Sequence, residues 1–259
     1  MLFDTHAHYD DEKFDIDRSQ ILEKVYSEGV SYIINASSDE KSISMSLELA
    51  ERYPFVYAAV GIHPQSAGDV DDGYLKKLYE HAKHEKVVAI GEIGLDYYYD
   101  FPPRDIQKKR FIEQINAAKE ISLPVVIHTR DSFEDVLKII KSENVKEVGG
   151  VFHCFSGSIE VAREVLNNNF YISVGGIVTF KNAKKVPEVV KYVPTDRLLI
   201  ETDCPYLTPE PFRGKRNDSG YLKYVVEKVA EIKGITFDEV AEITAKNALR
   251  LFRIETPGG

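Results

Sequence analysis

A closed barrel of eight parallel strands, each followed by a helix, is the fold class this sequence predicts: an α/β protein of the (β/α)8 TIM-barrel type, with an extra C-terminal helix. Three observations carry the expectation. Eight short apolar segments alternate with longer amphipathic ones along the whole chain. Most of the short segments are continuously apolar rather than alternating, as strands buried on both faces are. The 259 residues match the usual size of such a barrel, roughly 250. The alternative, an open doubly wound sheet, usually has fewer strands and a glycine fingerprint in its first strand–helix turn, which is absent here. Nothing resembles a linker or a low-complexity stretch, so residues 1–259 are read as one domain.

In chain order, strands are expected at 2–7, 31–35, 56–60, 87–91, 125–128, 150–152, 171–174 and 198–201. Helices are expected at 17–28, 40–52, 74–84, 104–121, 133–141, 159–167 and 183–191, and after the last strand at 221–233 and 237–251. Ser132 and Ser158 precede helices as N-caps would. Gly29 and Gly234 follow helices as C-terminal glycines do. Pro124 comes just before a strand, where its missing N–H does least harm.

Bulk properties narrow the function. The formal net charge of −9 argues against a protein that coats nucleic acid by general electrostatics, though not against a nuclease whose cations cluster at one site. No apolar run approaches the length of a membrane span, and Met1 leads straight into a strand with no basic region or cleavage site, so neither a membrane partner nor a secretory leader is expected. The two cysteines, Cys154 and Cys204, make no disulfide framework, and a reducing cytoplasm is the default. No obligate protein partner is evident.

Six side chains stand out as metal ligands. His6 and His8 sit together in Asp4-Thr5-His6-Ala7-His8, while Glu92, His128, His153 and Asp203 each come at the downstream end of an apolar run. Side chains two apart on a strand point the same way, so Asp4, His6 and His8 are expected on one face. Strand ends one, four, five, six and eight would all open on the C-terminal mouth, where such barrels place their chemistry. Taken singly, each histidine is more readily a hydrogen-bonded core residue. His81 and His84, in a charged helix, are expected to be solvated. Packing does not explain all six jointly.

Imidazoles and carboxylates together suit Zn, Mn, Mg, Co or Fe rather than a calcium cage. Six ligands exceed the three protein ligands of one catalytic zinc and fit two divalent ions roughly 3.5–4 Å apart. Glu92, on the strand facing the first across the barrel, is the expected bridge. Glu201, one layer below Asp203, would hold a ligand histidine or a site cation in place. Asp4 would do the same beneath His6, with a structural ion pair as the equal alternative for both.

The motifs together resemble a known family. Asp4-Thr5-His6-Ala7-His8, Gly61-Ile62-His63-Pro64, Gly91-Glu92-Ile93-Gly94-Leu95-Asp96-Tyr97, His128-Thr129-Arg130-Asp131, His153-Cys154-Phe155-Ser156-Gly157, Glu201-Thr202-Asp203 and Arg213-Gly214-Lys215-Arg216-Asn217 are similar, in order and spacing, to those of the TatD family of metal-dependent deoxyribonucleases, within the amidohydrolase-like barrels. Two departures are a cysteine at 204, where the family usually has a small residue, and Asp218-Ser219, where it usually has Glu-Pro. The resemblance implies that His6, His8, Glu92 and Asp203 hold one metal, that Glu92, His128 and His153 hold a second, and that His63 is a substrate or supporting contact. It implies hydrolysis of phosphodiester bonds in DNA, often from an end. Some relatives are linked to removal of D-amino acids from tRNA.

Cations support a phosphate substrate independently. Arg130 follows the fifth strand, Lys181 the seventh, and Arg213, Lys215 and Arg216 the eighth, where barrels commonly bind phosphate. Such contacts would position a DNA strand, single-stranded or at an end, without reading its sequence. Gly175-Gly176 would let the backbone approach an anion. Of these, Lys215 alone is more simply a solvated charge. Tyr97, Tyr98, Tyr99 and Phe101 could stack on unpaired bases, although a packed rim is the favoured expectation. Cys154 and Cys204 are expected to turn away from the ions as small core residues. Asp203 is the expected base that orients and deprotonates water. The rivals are an amidohydrolase or esterase acting on another substrate, such as D-aminoacyl-tRNA, and a non-catalytic binder of metal or nucleic acid. The lysine-bridged branch of amidohydrolases is disfavoured, because the nearest lysine on the fourth strand is Lys86, at its start.

Overall fold

The computed structural model describes residues 1–255; residues 256–259 of the expected domain lie outside them. The strands are β1 (Leu2–Ala7), β2 (Val30–Ala36), β3 (Val56–Val60), β4 (Val87–Asp96), β5 (Val125–Arg130), β6 (Gly150–Phe152), β7 (Phe170–Val174) and β8 (Leu198–Ile200). All neighbouring pairs are parallel and follow chain order. β8 returns to β1 through an Ala7–Cys204 bridge. The Asp203 N–H donates to the His6 carbonyl at 2.9 Å, and the His8 N–H donates to the Cys204 carbonyl at 2.8 Å. The result is a nearly closed (β/α)8 barrel.

The helices are α1 (Arg18–Ser27), α2 (Glu40–Arg52), α3 (Tyr74–His81), α4 (Arg104–Ile121), α5 (Phe133–Ser142), α6 (Ile159–Asn167), α7 (Lys185–Tyr192), α8 (Leu222–Lys233) and α9 (Phe237–Phe252). The largest apolar cluster lies between the strands and this helical ring. A second cluster fills the barrel itself. It takes a residue from every strand, among them Phe3, Ile34, Ala59, Val126, Val151 and Leu199, and joins them to Ala245, Ala248, Leu251 and Phe252 of α9. The extra C-terminal helix therefore closes the N-terminal end of the barrel. Asn247 pins it by donating to the carbonyls of Thr195 (2.7 Å) and Leu198 (2.9 Å). Among the described residues no helix is long and apolar enough to cross a membrane.

The structure corrects four local expectations. β4 and β5 run past Gly91 and His128, to Asp96 and Arg130, so Glu92 and His128 lie within strands rather than at their ends. Gly94 permits this extension: a Cβ there would stand 1.9 Å from the His128 carbonyl oxygen, and only glycine tolerates that approach. Second, Asp4 does not share the outlook of His6 and His8. β1 pairs Asp4 with Ile33 but Ala7 with Asn35, and this extra residue, a bulge, breaks the alternation. Third, Ser158 caps α6 by accepting the Val161 N–H at 3.4 Å, but Ser132 makes no side-chain cap to α5. Its hydroxyl donates instead to the Leu95 carbonyl at 2.6 Å, tying α5 to the β4 extension. Fourth, Gly176 serves packing rather than an anion, since a Cβ there would meet the Leu207 carbonyl oxygen at 1.9 Å.

Candidate metal centre

A second bulge, between Ile90 and Ile93 in the β4–β5 register, aims Glu92 into the C-terminal mouth, as bulges beside sites do. Glu92 is 3% exposed and its two carboxylate oxygens face different partners. Oε1 lies 2.6 Å from His128 Nδ1, 2.6 Å from His153 Nε2 and 3.7 Å from His63 Nε2. Oε2 lies 3.3 Å from His6 Nε2 and 3.8 Å from His8 Nε2. Asp203 completes that second group, with Oδ1 3.3 Å from His8 Nε2 and 3.9 Å from His6 Nε2. Within the groups the imidazole nitrogens are themselves close: 3.1 Å between His6 and His8, 3.4 Å between His128 and His153. All six side chains singled out in the sequence converge.

The donor chemistry fits cations. His8 Nδ1 is 2.8 Å from the Ala36 carbonyl oxygen, which can only accept, so Nδ1 carries a proton and Nε2, once it gives up its own proton, is the atom that offers a lone pair to a cation beside Asp203. His63 is the opposite case. Its Nδ1 accepts the Gln65 N–H at 3.2 Å, so its Nε2 presents N–H to the centre rather than a lone pair. Three groups bring their nitrogen and oxygen atoms within 4.8 Å of one another: His6, His8 and Asp203; His63, Glu92 and His128, where the His63 N–H leaves Glu92 and His128 as the ligands; and His6, His153 and Glu201.

Electrostatics match this geometry. Burial opposes ionisation of Glu92, but His153, His63 and His6 around it hold its carboxyl well below the usual range. Burial likewise opposes charge on His8, yet Asp203, Glu92 and Asp10 outweigh it and push its pKa up to about 10. Burial, reinforced by His128, depresses His63 to about 3, and burial with His153 depresses His6. Carboxylates kept ionised beneath crowded imidazole nitrogens form a cluster that a cation relieves.

Supporting residues hold the ring. Glu201 Oε1 accepts the Cys154 N–H at 2.6 Å and lies 3.5 Å from His153 Nδ1. Asp4 touches no imidazole. It accepts from the Thr202 N–H (2.9 Å), the Thr202 hydroxyl (2.6 Å) and the Ser219 hydroxyl (2.6 Å), and more distantly from the His6 N–H (3.4 Å). Its work is to clamp β1 to the chain on either side of Asp203, and Ser219, one of the two departures from the motif pattern, is part of that clamp. The residue that sequence reading missed is Asp96. Its Oδ2 faces His128 Nε2 at 3.3 Å and accepts from Gln65 Nε2 at 2.9 Å. The available signal was its position four residues past Glu92, in a strand expected to have ended at Gly91. Neither cysteine joins a donor group among the described residues, and burial lifts both thiols well above their usual range.

Comparison with known proteins settles the ancestry. The profile of the family described as TatD related DNase matches residues 3–253. The chain belongs to the TatD family. It is 56% identical to the uncharacterized metal-dependent hydrolase YabD of Bacillus subtilis, covering 98% of this chain and 100% of that one. It is 38% identical to the uncharacterized metal-dependent hydrolase YcfH of Escherichia coli, over 98% and 97% of the two chains. The crystal structure of YjjV, a TatD homologue from Escherichia coli K12, superposes with a TM-score of 0.92 at 32% identity, covering 98% of each chain.

Around this TatD-family centre the surface is sharply divided. A cleft of about 750 Å³ reaches the site at His8, His63 and Glu92 and is otherwise acidic, lined by Asp10, Asp11, Glu12, Asp15, Asp39 and Glu48, with Lys41 the only lysine or arginine among its lining residues. The expected cations lie elsewhere. Arg130 and Arg213 are exposed, stacked over Tyr98 (3.8 Å) and Phe180 (4.3 Å). Lys181 and Lys215 are exposed as well. Arg216 is not free for a substrate: it grips Asp17 through two bonds of 2.9 and 2.6 Å. The aromatic run departs from the packed rim that was favoured. Tyr97 is half-buried, but Tyr98 and Tyr99 are each 59% exposed and Phe101 is 65% exposed.

Proposed function

We propose that this TatD-family metal-dependent hydrolase cleaves phosphodiester bonds of DNA, working from the end of a single or frayed strand. The observation that supports it most is the division of the Glu92 carboxylate, one oxygen toward His6 and His8 beside Asp203, the other toward His128 and His153. His6, His8, Asp203 and Glu92 would hold one divalent cation, and Glu92, His128 and His153 a second. Bound there, the cations supply Lewis-acid polarisation of a phosphoryl group and acidify water.

The chain's own residues do the rest. Asp203, held ionised below its ordinary range because the neighbouring imidazoles (His8 first) outweigh its burial, orients the attacking water and takes its proton. His63, neutral and turning N–H to the centre, donates to a phosphate oxygen. Arg130 and Arg213 add positive charge to stabilise the crowded transition state and to hold the strand. The acidic cleft that opens at His8 and His63 repels a continuing polyanion, which favours attack at an end. The name of the matched family, TatD related DNase, supports the same substrate. A reducing cytoplasm fits the two free thiols.

The test is cleavage of end-labelled single- and double-stranded DNA by purified protein with added Mn(II), beside a cyclic amide. Progressive shortening of the strand that requires the ion is expected. Asp203→Asn should lower it by about 10²–10⁴-fold with an unchanged thermal unfolding curve. Turnover of the amide with DNA untouched would overturn the substrate, and full activity in the variant would overturn the role of Asp203.

One observation favours a second reading. The acidic lining of the cleft suits a cationic group, such as the ammonium of a D-aminoacyl ester on tRNA, placed beside the same centre. Release of a D-amino acid from charged tRNA faster than DNA shortening would favour it.

A further inference from the structure

The β4–β5 ribbon carries a feature that hydrolysis at Glu92 does not itself use. Beyond Asp96 the chain turns sharply, and that turn is built on the Asp96 carboxylate. Oδ1 accepts the N–H groups of Tyr98 (3.0 Å) and Tyr99 (3.1 Å), while Oδ2 faces His128. Gln107 locks the same turn, accepting from the Asp96 N–H at 2.9 Å and donating to the carbonyls of Asp96 (3.1 Å) and Pro102 (2.8 Å). One carboxylate thus ties the metal centre to two aromatic rings.

Those rings are presented rather than packed. Tyr97 shows what packing looks like here: its hydroxyl donates to Asp135 at 2.7 Å and Arg104 covers its ring at 4.0 Å. Tyr98 and Tyr99 stand edge to face, 5.1 Å apart at 89°, and among the described residues neither hydroxyl has a side-chain or backbone partner. The Arg130 guanidinium lies 3.8 Å over the Tyr98 ring and 5.1 Å from that of Tyr99. No carboxylate among the described residues comes within ion-pair distance of it, whereas nearby Arg104 is held twice by Asp100. A contiguous exposed aromatic surface of this kind marks a binding site more often than idle surface. Here it pairs flat π-faces with an uncompensated cation, the combination that single-stranded nucleic-acid sites use.

We propose that Tyr98, Tyr99 and Arg130 form a stacking platform for an unpaired base at the end of the strand, with Arg130 holding the adjoining phosphate. The proposal rests on the phosphodiesterase reading of the Glu92 site and deepens it: the substrate is single-stranded where it meets the enzyme, and a base, not only a phosphate, is recognised. The occupant is a base because the surface offers ring faces and a cation but no array of hydrogen-bonding groups for a sequence.

The test measures binding separately from hydrolysis. Fluorescence anisotropy of a labelled single-stranded octanucleotide is followed with the Asp203→Asn protein, alone and with Tyr98→Ala and Tyr99→Ala added. Base stacking of about 1–3 kcal/mol predicts binding weaker by about 5- to 150-fold. An octanucleotide with an abasic terminal residue should show no difference between the two proteins. Tyr98→Phe with Tyr99→Phe keeps the ring faces and should bind like the parent. Equal affinity for the intact oligonucleotide with and without the rings, or an equal loss on the abasic one, overturns the platform. Base-dependent binding by a wild-type protein that cleaves no DNA with any divalent ion supports the platform and counts against the hydrolysis reading alone.

Discussion

The two ends of the barrel are built from the same strands and solve opposite problems. At the N-terminal end every strand contributes an apolar side chain, and Leu251 and Phe252 of α9 seal the layer. At the C-terminal end the same strands, or the chain just beyond them, deliver Glu92, His6 and His153, which are buried, and His128 and Asp203, which are part-exposed. The first layer gains from being removed from water; the second costs stability until something charged fills it. Stability and chemistry are therefore separated along the barrel axis, and substitutions at the two ends should fail in different ways.

The largest expected effect is at the mouth. Glu92→Gln removes the carboxylate that both imidazole groups share, so the loss of activity should exceed the 10–100-fold that a supporting residue costs, with metal affinity falling alongside. The metal-free variant should unfold at a temperature close to that of the metal-free parent; a collapse of the fold would merge the two ends that the comparison keeps apart. Phe252→Ala should do the reverse. Emptying a 2%-exposed site in the sealing layer should cost about 3–5 kcal/mol in denaturant unfolding, while turnover per folded molecule and metal content stay unchanged. The smallest effects sharpen the picture at the rim. Arg216→Ala breaks a part-exposed pair with Asp17 and should cost no more than about 1 kcal/mol, leaving KM for DNA as it was. Arg130→Ala should raise KM without altering unfolding. Steady-state kinetics and melting curves on the pair check both, and a raised KM in Arg216→Ala would show that its grip on Asp17 opens to substrate.

Much of this was legible in the residues. Strand order followed from continuous apolar runs such as Val56–Val60, and the six ligands stood out because each is a lone polar group beside such a run. What the sequence hid was register. The bulge after Asp4 and the one at Glu92 each add a residue to one strand, and no local residue pattern marks them. They decide that Asp4 clamps backbone instead of an imidazole, and that Glu92 faces the barrel axis. Asp96 was missed for the same reason, because an apolar-run reading ends β4 before the ribbon does. Long-range ties were hidden too: Arg216 looked like a free cation, but its partner Asp17 lies 199 residues away. The exposure of Tyr98 and Tyr99 likewise depends on where the turn after β4 points.

The most direct measurement is the number of divalent ions the protein holds. After loading with Mn(II) and exhaustive dialysis, elemental analysis should find two per chain in the wild type and a clear fall in Glu92→Gln. Binding should strengthen as pH rises from 6 toward 9, because protons held on His8, whose pKa is raised to about 10 without the ion, must leave first. No bound ion in the wild type, or two that persist unchanged without the Glu92 carboxylate, would contradict the account.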